Sequence, residues 1–284
     1  MRIFVGAMNS GWNIDYKGVM PMDLLLHSKV ALVTGSTAGI GLEIARKLAT
    51  EQAEVIVTGR DQTKLDRAVA SIRASGGASV RGVRADAATA EGANILRREV
   101  PRVDILVNNL GIYEIKSFTD ITDDDWRIYF ETNVLSGVRL AREYFPSMLK
   151  QNWGRVIFIS SESGLVTPGD MIHYGMTKTA ILAVSRGLAE LTKGTKVTVN
   201  SVLPGPTQSE GIVGFMQSLA SDPSAPVDQI EAEFFAKSRP SSLIQRLTAP
   251  EEVANLVAYV ASPLSSATNG AALRVDGGVT ATIA

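Results

Sequence analysis

Tyr174 and Lys178 stand four residues apart in Tyr174-Gly175-Met176-Thr177-Lys178. On a helix that spacing puts a phenol and an ammonium on one face, one turn apart. A free phenol, with a pKa of about 10, exchanges protons poorly at neutral pH. A positive charge beside it favours the phenolate. The pair therefore suits proton transfer at a substrate oxygen, although the same spacing also occurs in solvated surface pairs. A second constellation is Thr34-Gly35-Ser36-Thr37-Ala38-Gly39-Ile40-Gly41, with glycines at i, i+4 and i+6. Glycine lets a phosphate approach the backbone amides, and a following helix N-terminus adds orphan N–H groups and partial positive charge. Taken alone, it also reads as a tight turn between a strand and a helix.

Composition narrows the chemistry around these two features. The 284 residues include no cysteine, which excludes disulfides, thiolate nucleophiles, iron–sulfur clusters and cysteine-bound zinc. Two histidines, His27 and His173, exclude a three-histidine metal site, and no metal is expected. Catalysis must then run on Ser, Tyr, Lys, Asn and carboxylates, or on a bound cofactor. With 28 Lys and Arg against 29 Asp and Glu, the net charge of −1 points to no nucleic-acid partner. No apolar run reaches 18 residues, so no membrane partner is expected, and no secretory segment is evident.

The elements that must hold these residues follow from periodicity. Lys29–Thr34, Glu54–Thr58, Ser79–Ala85, Asp104–Asn108, Arg155–Ser160, Lys196–Leu203 and Ala272–Val275 read as buried strands. Between them lie amphipathic stretches: Gly39–Glu51, Gln62–Ser75, Ala90–Val100, one or two helices in Asp123–Gln151, Tyr174–Lys193 and Pro250–Ala261. This alternation predicts an α/β chain with a doubly wound, parallel, seven-stranded sheet of Rossmann type in a single domain. Gly205–Arg246 interrupts it with Pro, Ser and Gly and two short helical pieces, Ile212–Leu219 and Val227–Lys237. Long insertions of this kind usually cover something. Residues 1–21 sustain no periodicity and read as a disordered extension, a segment upstream of the true start, or an arm packing on a partner through Phe4, Trp12 and Tyr16.

The TGxxxGxG turn, Asn108-Asn109-Leu110-Gly111, Ser161-Glu162-Ser163-Gly164, YxxxK and Pro204-Gly205-Pro206-Thr207 occur in one order along the chain. Together they resemble the short-chain dehydrogenase/reductase family from about residue 28 to residue 280. The resemblance implies a catalytic tetrad of Asn133, Ser161, Tyr174 and Lys178. Ser161 and Tyr174 would polarise a carbonyl, Tyr174 would donate the proton, and Lys178, a water and Asn133 would reload it. It also implies dinucleotide contacts from Gly35, Ser36, Thr37, Gly39, Ile40, Gly41, Asp86, Asn109, Gly111, Pro204, Gly205 and Thr207, besides Tyr174 and Lys178. At the end of the second strand, where NAD-using relatives often carry Asp, this chain has Gly59 and then Arg60. Arg60 would pair with a 2′-phosphate, so NADP(H) is expected, with NAD(H) possible and a solvated Arg60 the alternative. Ser160 reads as the last strand residue rather than a competitor of Ser161. His173 reads as a wall or surface residue and His27 as solvated.

The implied activity is interconversion of a small-molecule ketone and a secondary alcohol in the cytoplasm by a homotetramer. Its contacts would come from Asp123–Lys150, Tyr174–Lys193 and the C-terminal Arg274–Ala284. Residues 22–284 would be the catalytic domain and 206–246 its lid. The lid's Phe215, Met216, Leu219, Ile230, Phe234 and Phe235 either pack it on the body or, with Tyr113 and Met171, wall an apolar substrate. Alternatives are a 3-oxoacyl-[acyl-carrier-protein] reductase, for which Leu149-Lys150-Gln151-Asn152-Trp153 offers one lysine as a landing site, and a cofactor-binding regulator without turnover.

Overall fold

A computed structural model describes residues 22–77, 79–209 and 211–283; the segment 1–21 lies outside them. Seven short aliphatic runs form seven strands: β1 (Val30–Val33), β2 (Glu54–Gly59), β3 (Val80–Arg84), β4 (Ile105–Asn108), β5 (Gly154–Ile159), β6 (Val197–Pro204) and β7 (Ala272–Val275). They make one sheet in the order β3-β2-β1-β4-β5-β6-β7, and every neighbouring pair is parallel. The helices are α1 (Gly39–Thr50), α2 (Gln62–Ala74), α3 (Ala90–Glu99), α4 (Asp123–Phe130), α5 (Ser136–Lys150), α6 (Ile172–Glu190), α7 (Ile212–Leu219), α8 (Val227–Ser238) and α9 (Pro250–Ala261). The single α/β domain and its sheet are thus as the alternation predicts, with most boundaries shifted by a residue or two.

Successive strand residues point to opposite faces, and the core divides accordingly. Ala31, Val33, Val55, Val57, Ile105 and Val107 pack with Ile44 and Leu48 of α1, Leu65 and Ile72 of α2, and Val253 and Val257 of α9. Leu32, Ile56, Leu106, Val156 and Phe158 face the other way, onto Leu96 of α3, Leu140 and Phe145 of α5, and Ile181 of α6. Every residue of β5 and β6 is buried, as strands covered on both faces must be.

This winding sets the site. The chain steps outward from β1 to β3, then returns across β1 to β4. A crevice opens at that switch point, beyond the carboxyl ends of the strands. The stretch read as one or two helices is α4 and α5 joined by a π-helical turn, Glu131–Leu135, which contains Asn133. Such single wide turns often serve functional positions. Beyond β6, α7 and α8 share their own small core of Ile212, Met216, Ile230, Phe234, Phe235 and Leu247.

Candidate active site

The glycine turn leaves β1 and enters α1 at Gly39, whose φ of +54° lies in the left-handed region. Ala38 precedes the helix in extended conformation and supplies no side-chain cap. The first-turn N–H groups therefore have no side-chain partner, and Ala38, Ile40 and Gly41 line a cavity of about 240 Å³. At Gly41 a Cβ would lie 2.4 Å from both the Gly35 carbonyl oxygen and Asn109 Nδ2, so the helix can approach only without a side chain. Asn109 braces the turn: its Nδ2 donates to the carbonyls of Thr34 (3.0 Å) and Gly35 (3.1 Å). The backbone N–H groups of Asn109 and Leu110 both donate to Thr34 Oγ1.

Ser36 departs from expectation. It is fully buried, its hydroxyl donates to the Val33 carbonyl (2.6 Å), and it accepts from the Thr58 N–H (2.9 Å). It pins β1 to β2, and its proton is committed within the fold. Arg60 and Asp86, at the ends of β2 and β3, approach to 3.8 Å. With Gly35 and Thr37 they line a second cavity of about 330 Å³ beside the turn. At Gly59 a Cβ would stand 2.5 Å from the Thr37 methyl, so Thr37 would have to shift to admit one. Pro204, Gly205 and Thr207 complete the main cavity on the β6 side, and Thr207 Oγ1 donates to the Gly205 carbonyl (2.9 Å). Uncapped amides, a side-chain-free approach and an exposed arginine at the neighbouring strand end fit a dinucleotide with a 2′-phosphate.

Tyr174 sits in the first turn of α6, and Lys178 follows one turn later. The lysine is buried: its Nζ donates to the Ile159 carbonyl (3.0 Å) and lies 5.5 Å from the centre of the Tyr174 ring. Burial pushes the ammonium down to about 8. The phenol is desolvated as well. Burial holds its pKa well above the usual value, and the Glu162 carboxylate adds to this. Within the chain alone, burial thus favours the protonated phenol.

Ser161 caps a short 3-10 turn, Glu162–Gly164, by accepting from the Ser163 N–H (3.1 Å). Its own proton goes to the Glu162 carboxylate. Ser160 lies just past β5 and donates to the Lys178 carbonyl (2.8 Å), so it secures α6 rather than facing a ligand as a donor. Asn133 is fully engaged: Oδ1 accepts from the Ile112 N–H (2.8 Å), and Nδ2 donates to the Ile112 carbonyl and Thr177 Oγ1 (3.0 Å each). Gly111 lies between Asn133 and Lys178; a Cβ on it would stand 3.5 Å from Asn133 Oδ1 and 3.3 Å from Lys178 Nζ.

The cavity brings together groups that periodicity does not connect. Tyr113 meets Tyr174 edge-on at 6.1 Å and Phe215 at 5.8 Å, and Phe215 meets Phe234 at 6.2 Å. Met171 joins this wall. Met216, Ile230 and Phe235 instead pack within the α7–α8 unit, so the two readings of these apolar residues divide by position. Glu162 and Arg239 were not legible as site residues, yet Arg239 Nε donates to Glu162 Oε1 (3.3 Å) inside the cavity. His173 is completely buried, its ring 4.1 Å from Tyr129 and 6.2 Å from Trp126, with burial holding it below its ordinary pKa. His27 is exposed. Among the described residues no group of three or more His, Cys, Asp or Glu could hold a metal, and no helix is long and apolar enough to cross a membrane.

Comparison with known proteins follows the same lines. The uncharacterised oxidoreductase YvaG of Bacillus subtilis is 49% identical over 91% of this chain and 98% of its own length. The 3-oxoacyl-[acyl-carrier-protein] reductase FabG of Aquifex aeolicus is 32% identical over 91% of this chain and 100% of its own. L-sorbose reductase from Gluconobacter frateurii, solved with NADPH and L-sorbose, has a TM-score of 0.86 at 30% identity, covering 92% of this chain and 100% of that one. A family model described as short chain dehydrogenase matches residues 29–219. On these matches the chain belongs to the short chain dehydrogenase family of NAD(P)-dependent oxidoreductases.

Proposed function

We propose that the protein is an NADP(H)-dependent oxidoreductase interconverting a ketone and a secondary alcohol, with Tyr174 as proton donor in reduction. The observation that carries this is the convergence of Tyr174, Lys178 and Ser161 on one cavity whose other wall is the glycine turn. The hydride would come from, or pass to, the nicotinamide of a bound dinucleotide. Gly35, Thr37, Gly39, Ile40 and Gly41 hold its phosphates, and Asp86, Asn109 and Gly111 flank it. Pro204, Gly205 and Thr207, which line the main cavity, would hold the nicotinamide end. Arg60 binds the 2′-phosphate by a charge-assisted contact. The NADPH-bound L-sorbose reductase supports both the cofactor and the reduction of a carbonyl.

Tyr174 gives its proton to the substrate oxygen in reduction, and burial favours the protonated phenol that this step needs. Lys178, buried behind it, returns the proton. Asn133 holds Gly111 and α6 in register. Residues 206–246 act as a lid whose Phe215 and Phe234 exclude water from the reacting carbons. The homotetramer uses the α4–α5 and α6 surfaces, where Ile128 and Phe130 stand exposed, and sedimentation tests it: a monomer rejects it. A second reading, reduction of a 3-oxoacyl group on a carrier protein, is favoured by the Aquifex relative. A panel of alkyl and aryl ketones, acetoacetyl-carrier protein and secondary alcohols, assayed with NADPH and NADH, separates the two. Turnover of none of them, with NADPH still bound, overturns both.

A further inference from the structure

Glu162 is the only carboxylate among the described residues lining the main cavity. It is 5% exposed, and both of its oxygens are used inside that space. Oε2 accepts the Ser161 proton, and Oε1 accepts from Arg239 Nε at 3.3 Å. Arg239 ends α8, anchors its Nη1 on the Ser238 carbonyl (2.8 Å) and lies 5.8 Å over the Phe234 ring. A buried carboxylate loses its hydration, and a single ion pair seldom offsets that loss. Neither partner lies in a strand of the sheet. The pair lines the same cavity as Tyr174 and Ser161, and Glu162 holds the Ser161 hydroxyl.

The arrangement creates a conflict that a substrate must resolve. A hydroxyl has one proton. Ser161 gives its proton to Glu162, so toward the carbonyl oxygen of a plain ketone it presents lone pairs. A hydroxyl on the carbon next to the carbonyl changes this. That hydroxyl donates to Glu162 in place of Ser161, and the Ser161 proton turns to the carbonyl oxygen beside Tyr174. Only hydrogen-bond partners are exchanged: Glu162 neither gains nor loses a proton, and the hydride and proton transfers of the reaction are unaltered. Arg239 keeps the carboxylate in the cavity, and its charge opposes withdrawal of Glu162 toward other partners. A 2-oxo acid would instead set a second anion against Glu162.

We infer that Glu162, held by Arg239, is a specificity-determining residue that selects carbonyl compounds bearing a hydroxyl on the adjacent carbon, and vicinal diols in the reverse direction. This rests on the ketone–alcohol reading of the same site.

The test compares hydroxyacetone with methoxyacetone in NADPH-dependent reduction by the full chain. Both carry an electron-withdrawing oxygen on the adjacent carbon, but only the first can donate a proton. The wild type should prefer hydroxyacetone in kcat/KM by about tenfold or more, the worth of a charge-assisted hydrogen bond. Glu162→Ala should bring the ratio to about one, and the near-isosteric Glu162→Gln to an intermediate value, since its amide oxygen still accepts without the charge. NADPH binding, followed by fluorescence, reports whether each variant is folded. An unchanged ratio in both folded variants, a wild-type preference for methoxyacetone, or a preference for 2-oxo acids overturns the inference and leaves the ketone–alcohol reading standing. Reduction of no ketone at all by the wild type removes both.

Discussion

Asn133 Nδ2 donates to Thr177 Oγ1 at 3.0 Å, tying the π turn between α4 and α5 to α6 one residue before Lys178. Thr177 in turn donates to the Tyr174 carbonyl (2.7 Å). One polar chain thus sets the position of both the phenol and the ammonium. Thr177→Val keeps the volume but leaves the Asn133 amide without that acceptor, a loss of about 1–3 kcal/mol in a buried setting. We expect kcat to fall several-fold with little change in NADPH affinity. Asn133→Ala, which also releases Ile112, should fall further. Equal kcat in wild type and Thr177→Val would remove Asn133's positioning role.

Arg60 lies 3.8 Å from Asp86, and its side chain is largely exposed. Such a pair is weak in water and readily exchanged for a phosphate. Arg60→Ala should reduce the NADPH-over-NADH preference in kcat/KM by about tenfold or more, chiefly through KM for NADPH. A preference untouched by the substitution would mean that the 2′-phosphate is held elsewhere.

Gly41→Ala tests the close approach at the phosphate turn. Alanine gains about 1 kcal/mol of helix propensity over glycine. Its Cβ would stand 2.4 Å from the Gly35 carbonyl and Asn109 Nδ2, and strain of about 1–3 kcal/mol or more follows because one neighbour is backbone. The variant should melt lower and bind NADPH more weakly. A higher melting temperature would contradict the packing described.

Lys178 predicts a pH dependence of stability. Burial lowers its pKa from 10.5 to about 8. Between those values the unfolded chain holds a proton that the folded chain has released, so stability must rise with pH across the window. From pH 8 to pH 10 the unfolding free energy should increase by on the order of 2 kcal/mol, and Lys178→Met should abolish that increase. Reduction should decline above pH 8 as the ammonium loses the proton it returns to Tyr174. A flat stability profile in the wild type would place Lys178 in a wetter setting than the structure does.

The strands, α7, α9 and the order of the site segments are legible in the sequence because each is a local pattern. Aliphatic runs such as Val30–Val33 bury both faces, and the four-residue step from Tyr174 to Lys178 is a helical turn. What escapes is tertiary. Glu162 looks like filler in Ser161-Glu162-Ser163-Gly164 until the fold brings Arg239, 77 residues away, onto its carboxylate. Ser36 looks like a phosphate ligand by position, but the pairing of β1 with β2 consumes its hydroxyl. The π turn at Asn133 has no sequence period of its own, so Asp123–Gln151 leaves one helix or two unresolved.

Tyr174→Phe isolates the proton donor. It removes one oxygen and leaves the ring that packs against Tyr113. NADPH binding and the melting temperature should stay near wild type while ketone reduction falls by about a thousandfold or more, the contribution of a positioned general acid. Reduction at the wild-type rate by a folded, NADPH-binding Tyr174→Phe protein would mean that another group supplies the proton.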